Sequence, residues 1–152
     1  MLKINVICVG NLKDKFFIEA AGEYAKRLSR FCSLKVTELK EYTNLSNIEQ
    51  IKKMEGEDII KNISGYVILM DVEGKMLSSE DLAENIDTIS LNNSEITFVI
   101  GGSYGVSEGV KAKVNQKISV SKMTFPHRLF RIMLLEQIYR AFTINNNISY
   151  HK

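Results

Sequence analysis

The segment Ser121-Lys122-Met123-Thr124-Phe125-Pro126-His127-Arg128 concentrates more chemistry than any other part of the chain. It sets hydroxyls, backbone amides, a titratable imidazole and two cations close together. His127 and Arg131 are four apart, which places them on one face of a helix, and Glu136 and Arg140 have the same spacing. On an exposed helix the second pair would be a surface ion pair worth a few tenths of a kcal/mol. So apolar a helix favours a buried, paired role instead. The second loaded segment is Gly101-Gly102-Ser103-Tyr104-Gly105. Glycines there permit a sharp exit from a strand and close approach of a ligand to the backbone, or they simply make a turn.

Several other chemistries are poorly supported. A dinucleotide fingerprint would need glycine at position 100, where Ile100 stands. The acidic residue expected ~20 positions later is replaced by Ser121-Lys122. There is no phosphate-loop lysine pattern and no H-E-x-x-H. With only His127 and His151 as histidines, and Cys8 and Cys32 at no metal spacing, metal catalysis is not expected.

The elements that must position these residues follow from periodicity. Residues 2–9 read as a strand ending at Gly10. Residues 14–31 read as a helix with Phe17, Ala21, Tyr24, Leu28 and Phe31 on one face. Residues 34–41 form a second strand. Ser46 and Glu49 match a capping box that opens a helix carrying Ile48, Ile51, Ile59 and Ile63. Residues 65–70 are apolar without alternation, as in a strand covered on both faces, and Asp71 to Gly74 leave it. Ser78 and Asp81 cap a helix with Leu82, Ile86 and Ile89 on one side. Residues 96–100 form a fourth strand, Ser107 caps a short helix to about Asn115, and residues 117–121 form a fifth strand. Pro126 suits the first position of a last helix reaching about Ile144. This alternation predicts a single α/β domain over residues 1–152, with a mostly parallel sheet and helices on both faces. Met70-Asp71, Gly101 to Gly105 and Ser121 to His127 then all fall at the carboxyl ends of strands, where such sheets bind ligands.

The length of 152 residues fits one domain. The composition, 45% hydrophobic and 25% charged, is that of a globular chain. The longest apolar run, Tyr66 to Met70, is too short to span a membrane. The opening Met1-Leu2-Lys3-Ile4-Asn5-Val6 lacks a signal-peptide layout, so a cytoplasmic location is expected, with both cysteines as buried free thiols. Charge is divided unevenly. Residues 1–100 hold 12 Lys+Arg against 16 Asp+Glu, a net −4. Residues 101–152 hold 8 against 2, a net +6. The basic third either meets a polyanion or is only a solvated surface. Ten of the fourteen residues from Leu129 to Phe142 are apolar, so this helix needs cover on a second side. A second copy of the chain would supply it, and a homodimer is expected.

Ile100-Gly101-Gly102-Ser103-Tyr104-Gly105, then Ser121 through His127, then Glu136-Gln137-Ile138-Tyr139-Arg140-Ala141 and the ending Ser149-Tyr150-His151-Lys152 resemble the ribosomal RNA large-subunit methyltransferase H (RlmH) family. The resemblance runs the whole length, from Val9-Gly10 to His151-Lys152. It implies a SPOUT-type α/β fold with a C-terminal trefoil knot, S-adenosylmethionine as methyl donor, a homodimer, and methylation at N3 of a pseudouridine in large-subunit (23S) rRNA. It places the cofactor at Met70, Gly101, Gly102, Val120, Ser121, Lys122, Met123, Thr124 and Phe125. An imide nitrogen must lose its proton to be methylated, so a base or an anion-stabilising cation helps. His127, Arg140, Tyr150 and His151 are the catalytic candidates, with no choice among them at this point. RNA phosphates would meet Lys122, Arg128 and Lys152. No metal is implied. A non-catalytic RNA-binding assembly module on the same fold is the alternative.

Overall fold

A computed structural model describes residues 1–152. Five strands and five helices alternate. They are β1 (Lys3–Val9), α1 (Lys15–Leu28), β2 (Ser33–Leu39), α2 (Ile48–Asn62), β3 (Tyr66–Met76), α3 (Ser79–Ser90), β4 (Glu95–Ile100), α4 (Glu108–Lys111), β5 (Gln116–Ser119) and α5 (His127–Asn145). The sheet is parallel throughout, in the order β2-β1-β4-β3-β5.

Alternation along the strands sends side chains to two cores. Ile4, Val6, Cys8, Ile68, Ile96, Phe98 and Ile100 face the layer of α1, α3 and α5. Ile7, Val9, Val67, Leu69 and Val99 face α2 and α4. Burial on both faces explains why β3 and β4 read as unbroken apolar runs. β2, at the sheet edge, keeps only partial alternation and leaves Val36 exposed. Cys8 and Cys32 are buried free thiols, both pushed up to about 11 by burial.

The element order matches the sequence expectation, and the differences have local causes. The cap of α2 is Asn47, whose Oδ1 accepts from the Gln50 amide at 3.2 Å, and not a box of Ser46 with Glu49. Asparagine is at least as good a cap, one residue later. β3 does not end at Met70. It shifts register between Met70 and Lys75 and continues to Met76 beside β5. The Asp71 side chain, accepting from the Glu73 amide at 3.0 Å, shapes that irregularity. Helices α1 and α4 and strand β5 each stop earlier than periodicity predicts, at Leu28, Lys111 and Ser119. The Ser78–Asp81 capping box is present, and Ser107 caps α4.

Helix α5 is the most apolar of the five. It packs against α1 and α3 and contributes Leu134, Leu135, Ile138, Ala141 and Phe142 to the core. A helix in the middle of a three-helix layer is covered on two flanks by its own chain. Its composition therefore does not by itself require a second copy.

Candidate active site

Because the sheet is parallel, the exits of β1, β3, β4 and β5 share one end. The connection after β1 leads to β2 on one side, and that after β4 leads to β5 on the other. Adjacent strands whose connections diverge leave a crevice between them. A cavity of about 1000 Å³ lies there. Its walls come from Asp14 and Phe17 after β1, Met70 to Val72 in β3, Gly101 to Val106 after β4, and Ser119 to Arg128 except Lys122, from the end of β5 into α5.

Eight of the nine residues expected at the cofactor line this cavity: Met70, Gly101, Gly102, Val120, Ser121, Met123, Thr124 and Phe125. Lys122 points to solvent and is not part of the wall. The glycines serve the turn itself. A Cβ on Gly101 would lie 2.6 Å from Val106 Cγ1, and one on Gly102 would lie 2.7 Å from Glu55 Oε1. The turn closes with the Gly105 amide donating to Gly102 O at 3.0 Å, and Gly105 takes φ +81°. On the other side, the Met123 amide donates to Ser121 Oγ at 3.0 Å and orders the loop after β5.

His127 opens α5 on the cavity wall. Its Nε2 lies 3.7 Å from Glu41 Oε1. Burial holds its pKa below the ordinary histidine value; Glu41 works in the opposite direction, and Arg128 and Arg131 add to the lowering. The imidazole is thus neutral at pH 7 and able to accept a proton. Arg131, one turn on, is buried. It donates to Glu38 Oε2 at 2.6 Å and to Gly10 O at 3.0 Å, while Arg128 donates to Asn11 O at 3.0 Å. The two arginines clamp the start of α5 to the exit of β1.

Arg140, Tyr150 and His151 form a different cluster. Glu136 Oε1 accepts from Arg140 at 2.6 and 3.0 Å and from the Tyr150 hydroxyl at 3.0 Å. Arg140 Nη1 lies 3.1 Å from His151 Nδ1, and His151 Nε2 lies 2.6 Å from Glu80 Oε1. An arginine cannot accept, so Nδ1 accepts there and Nε2 faces the carboxylate as the donor. The pair of Glu136 and Arg140 is real but half-buried. Burial and the Glu136 contact raise the Tyr150 pKa, and Glu136 raises that of Arg140. Thirteen positions separate His127 from Arg140, which is about 20 Å along the helix. One protomer therefore does not bring its catalytic candidates together. Lys152 is exposed and also away from the cavity.

Periodicity marks Phe17 only as part of the apolar face of α1, and no motif points to Asp14, Lys52, Lys111 or the buried Glu55. The position of Asp14 and Phe17 just after β1 was the available signal. Lys52 and Lys111 gave none. Glu55 is 4% exposed, accepts from the Tyr42 amide at 3.2 Å, and leaves Oε1 without a partner behind Gly102. Burial raises its pKa.

A three-layer parallel α/β domain with a ligand cavity at its topological switch point accommodates several activities, and comparison with known proteins narrows them. The chain belongs to the SPOUT methyltransferase family, described as "Predicted SPOUT methyltransferase", which matches residues 2–151. Proteins named "Ribosomal RNA large subunit methyltransferase H" resemble it end to end. That of Clostridium acetobutylicum is 48% identical over 99% of this chain and 100% of its own length. Those of Caldicellulosiruptor saccharolyticus and Fusobacterium nucleatum are 49% and 46% identical, with coverage of 98% or more on both sides. A solved structure of a probable methylase family protein from Haemophilus influenzae superposes with a TM-score of 0.56 at 14% identity. It covers 98% of this chain and 70% of that one, and it supports the fold alone.

Proposed function

We propose that this chain is an S-adenosylmethionine-dependent methyltransferase acting on N3 of a pseudouridine in large-subunit ribosomal RNA, as a cytoplasmic homodimer. The observation that carries the reading is the full-length identity near 48% to proteins named for that RNA, in a chain whose switch-point cavity is walled by the same glycine and Ser121–Phe125 loops. The trefoil knot implied by the resemblance belongs to this reading. No helix is long and apolar enough to cross a membrane.

The cavity residues fit the cofactor. Ile100, Ile118, Val120 and Phe125 give apolar walls for an adenosine, and the glycine turn and the Ser121 loop offer peptide groups to its polar edge. When bound, S-adenosylmethionine supplies an electrophilic methyl group on a sulfonium. The remaining work falls to the chain. His127, neutral and on the wall, takes the imide proton. Arg140, aligned by Glu136 and Tyr150, stabilises the anion that remains. His151 and Lys152 position the tail and a phosphate. About 20 Å of helix separates the two groups, so the second comes from the partner of a homodimer. Arg128, on the cavity wall, and the exposed Lys122 meet RNA phosphates.

Calorimetric titration with S-adenosylmethionine tests the reading. One site per chain is expected. Absence of binding would leave only the non-catalytic RNA-binding module.

A further inference from the structure

Tyr104 is an aromatic side chain held out in the open. It is 52% exposed, yet it lines the cavity. It occupies the third position of the turn Gly102-Ser103-Tyr104-Gly105, whose ends pair as an antiparallel bridge. Val106 is buried beside the turn and Glu55 lies against Gly102 from behind. A ring presented on so well-supported a turn loses little freedom when it binds something. Deeper in the cavity the walls are peptide groups and buried aliphatics; at the rim they are Tyr104 and Met123, the latter 73% exposed.

Two cations line the same cavity, one on each of the helices behind the glycine turn, whose Gly102 has Glu55 of α2 against it. Lys52 of α2 and Lys111 of α4 line it, and α2 packs against α4. Each lysine forms a loose ion pair with a solvent-exposed carboxylate one turn away, Glu49 at 3.9 Å and Glu108 at 3.5 Å. Such pairs are worth little and yield to a phosphate. A cavity that offers an exposed aromatic side chain together with ammonium groups suits a splayed, single-stranded nucleotide.

We propose that Tyr104 is the stacking face for an unpaired base of the substrate RNA next to the target nucleotide, with Lys52 and Lys111 on the adjoining phosphates. This deepens the RNA reading of the cavity and rests on it. Stacking needs a ring and not a hydroxyl, so phenylalanine and tryptophan substitute while leucine, of similar bulk, does not. The ring acts on the RNA and not on the methyl donor, so cofactor affinity is independent of it.

The experiment measures methyl transfer to ribosomes from cells lacking this protein, with calorimetric S-adenosylmethionine affinity beside it. Tyr104→Ala and Tyr104→Leu are expected to raise KM for ribosomes about 10- to 100-fold, the scale of losing one base stack. Tyr104→Phe and Tyr104→Trp retain the wild-type KM, and all four bind cofactor normally, which also reports that they fold. A wild-type KM in Tyr104→Ala, or leucine working as well as phenylalanine, overturns the proposal. So does cofactor affinity falling in step with KM, which would make the ring a cofactor wall. A wild-type protein that transfers nothing to ribosomes overturns the RNA reading itself, and this proposal with it.

Discussion

His127 stands on the cavity wall with Glu41 3.7 Å behind it, and burial keeps its pKa below the ordinary value near 6.5. Two consequences follow at this one residue. As the proton acceptor, it gives a rate of transfer that falls as pH drops through that lowered pKa. His127→Gln removes that limb of the pH–rate profile; an unchanged limb in the variant assigns the proton to another group. The stability effect has the same sign. A histidine held neutral in the fold binds fewer protons than in the unfolded chain, so its contribution is intact above pH ~6.5 and is lost as pH falls through the folded value. Gly101 makes the second residue-scale prediction. A valine there must displace Val106, 2.6 Å from the new Cβ, and reopen the turn. Gly101→Val should lose S-adenosylmethionine binding in calorimetry while the far-ultraviolet circular dichroism stays native. Normal affinity would remove the turn from the pocket. The sequence already marked both residues. It did not show that Gly101 is constrained by its own loop, because Val106 becomes a neighbour only when the turn closes.

Helix α5 shows how far composition reaches and where packing takes over. Its apolar surround was legible from Leu129 to Phe142, but composition records only that cover is needed. For seven of the ten apolar residues there the cover is the core formed with α1 and α3 of the same chain, a tertiary fact that no local pattern holds, while Leu129, Ile132 and Met133 lie outside that core. Ile138 is fully buried in that core. Ile138→Ala should therefore lower the free energy of unfolding by ~2–5 kcal/mol, read from denaturant melts. A charge at Ile138 or Leu135 would unfold the protomer rather than separate a dimer. A variant as stable as wild type would show that α5 is not packed as described. Strand order was less legible than strand existence. The apolar runs of β3 and β4 gave their burial, yet the extension of β3 to Met76 depends on pairing with β5 after a register shift. Caps shifted by one residue, as at Asn47, because several neighbouring polar residues serve equally well.

At the scale of the whole molecule, the two halves of the candidate chemistry lie at opposite ends of one helix. His127 and the glycine turn share the cavity; Arg140, Tyr150 and His151 share a separate network with Glu136 and Glu80. Sequence order places His127, the glycine turn, Arg140, Tyr150 and His151 in the basic C-terminal third. Only the length of α5 shows that a single protomer keeps them apart. A site completed by a partner predicts complementation. His127→Ala and a chain lacking residues 150–152 should each lose at least ~10²-fold in methyl transfer, the scale of losing an acid–base or positioning group. Mixed and allowed to exchange subunits, they should regain part of it, since one composite site is then intact. No recovery in verified mixed dimers would place both halves in one protomer. Methylation of large-subunit rRNA is tested directly by mass mapping of that RNA after incubating ribosomes from cells lacking this protein with the purified chain and S-adenosylmethionine. One pseudouridine-containing fragment is expected to gain a single methyl group with the wild-type chain and none with Gly101→Val. An rRNA map unchanged by the wild-type chain would contradict it.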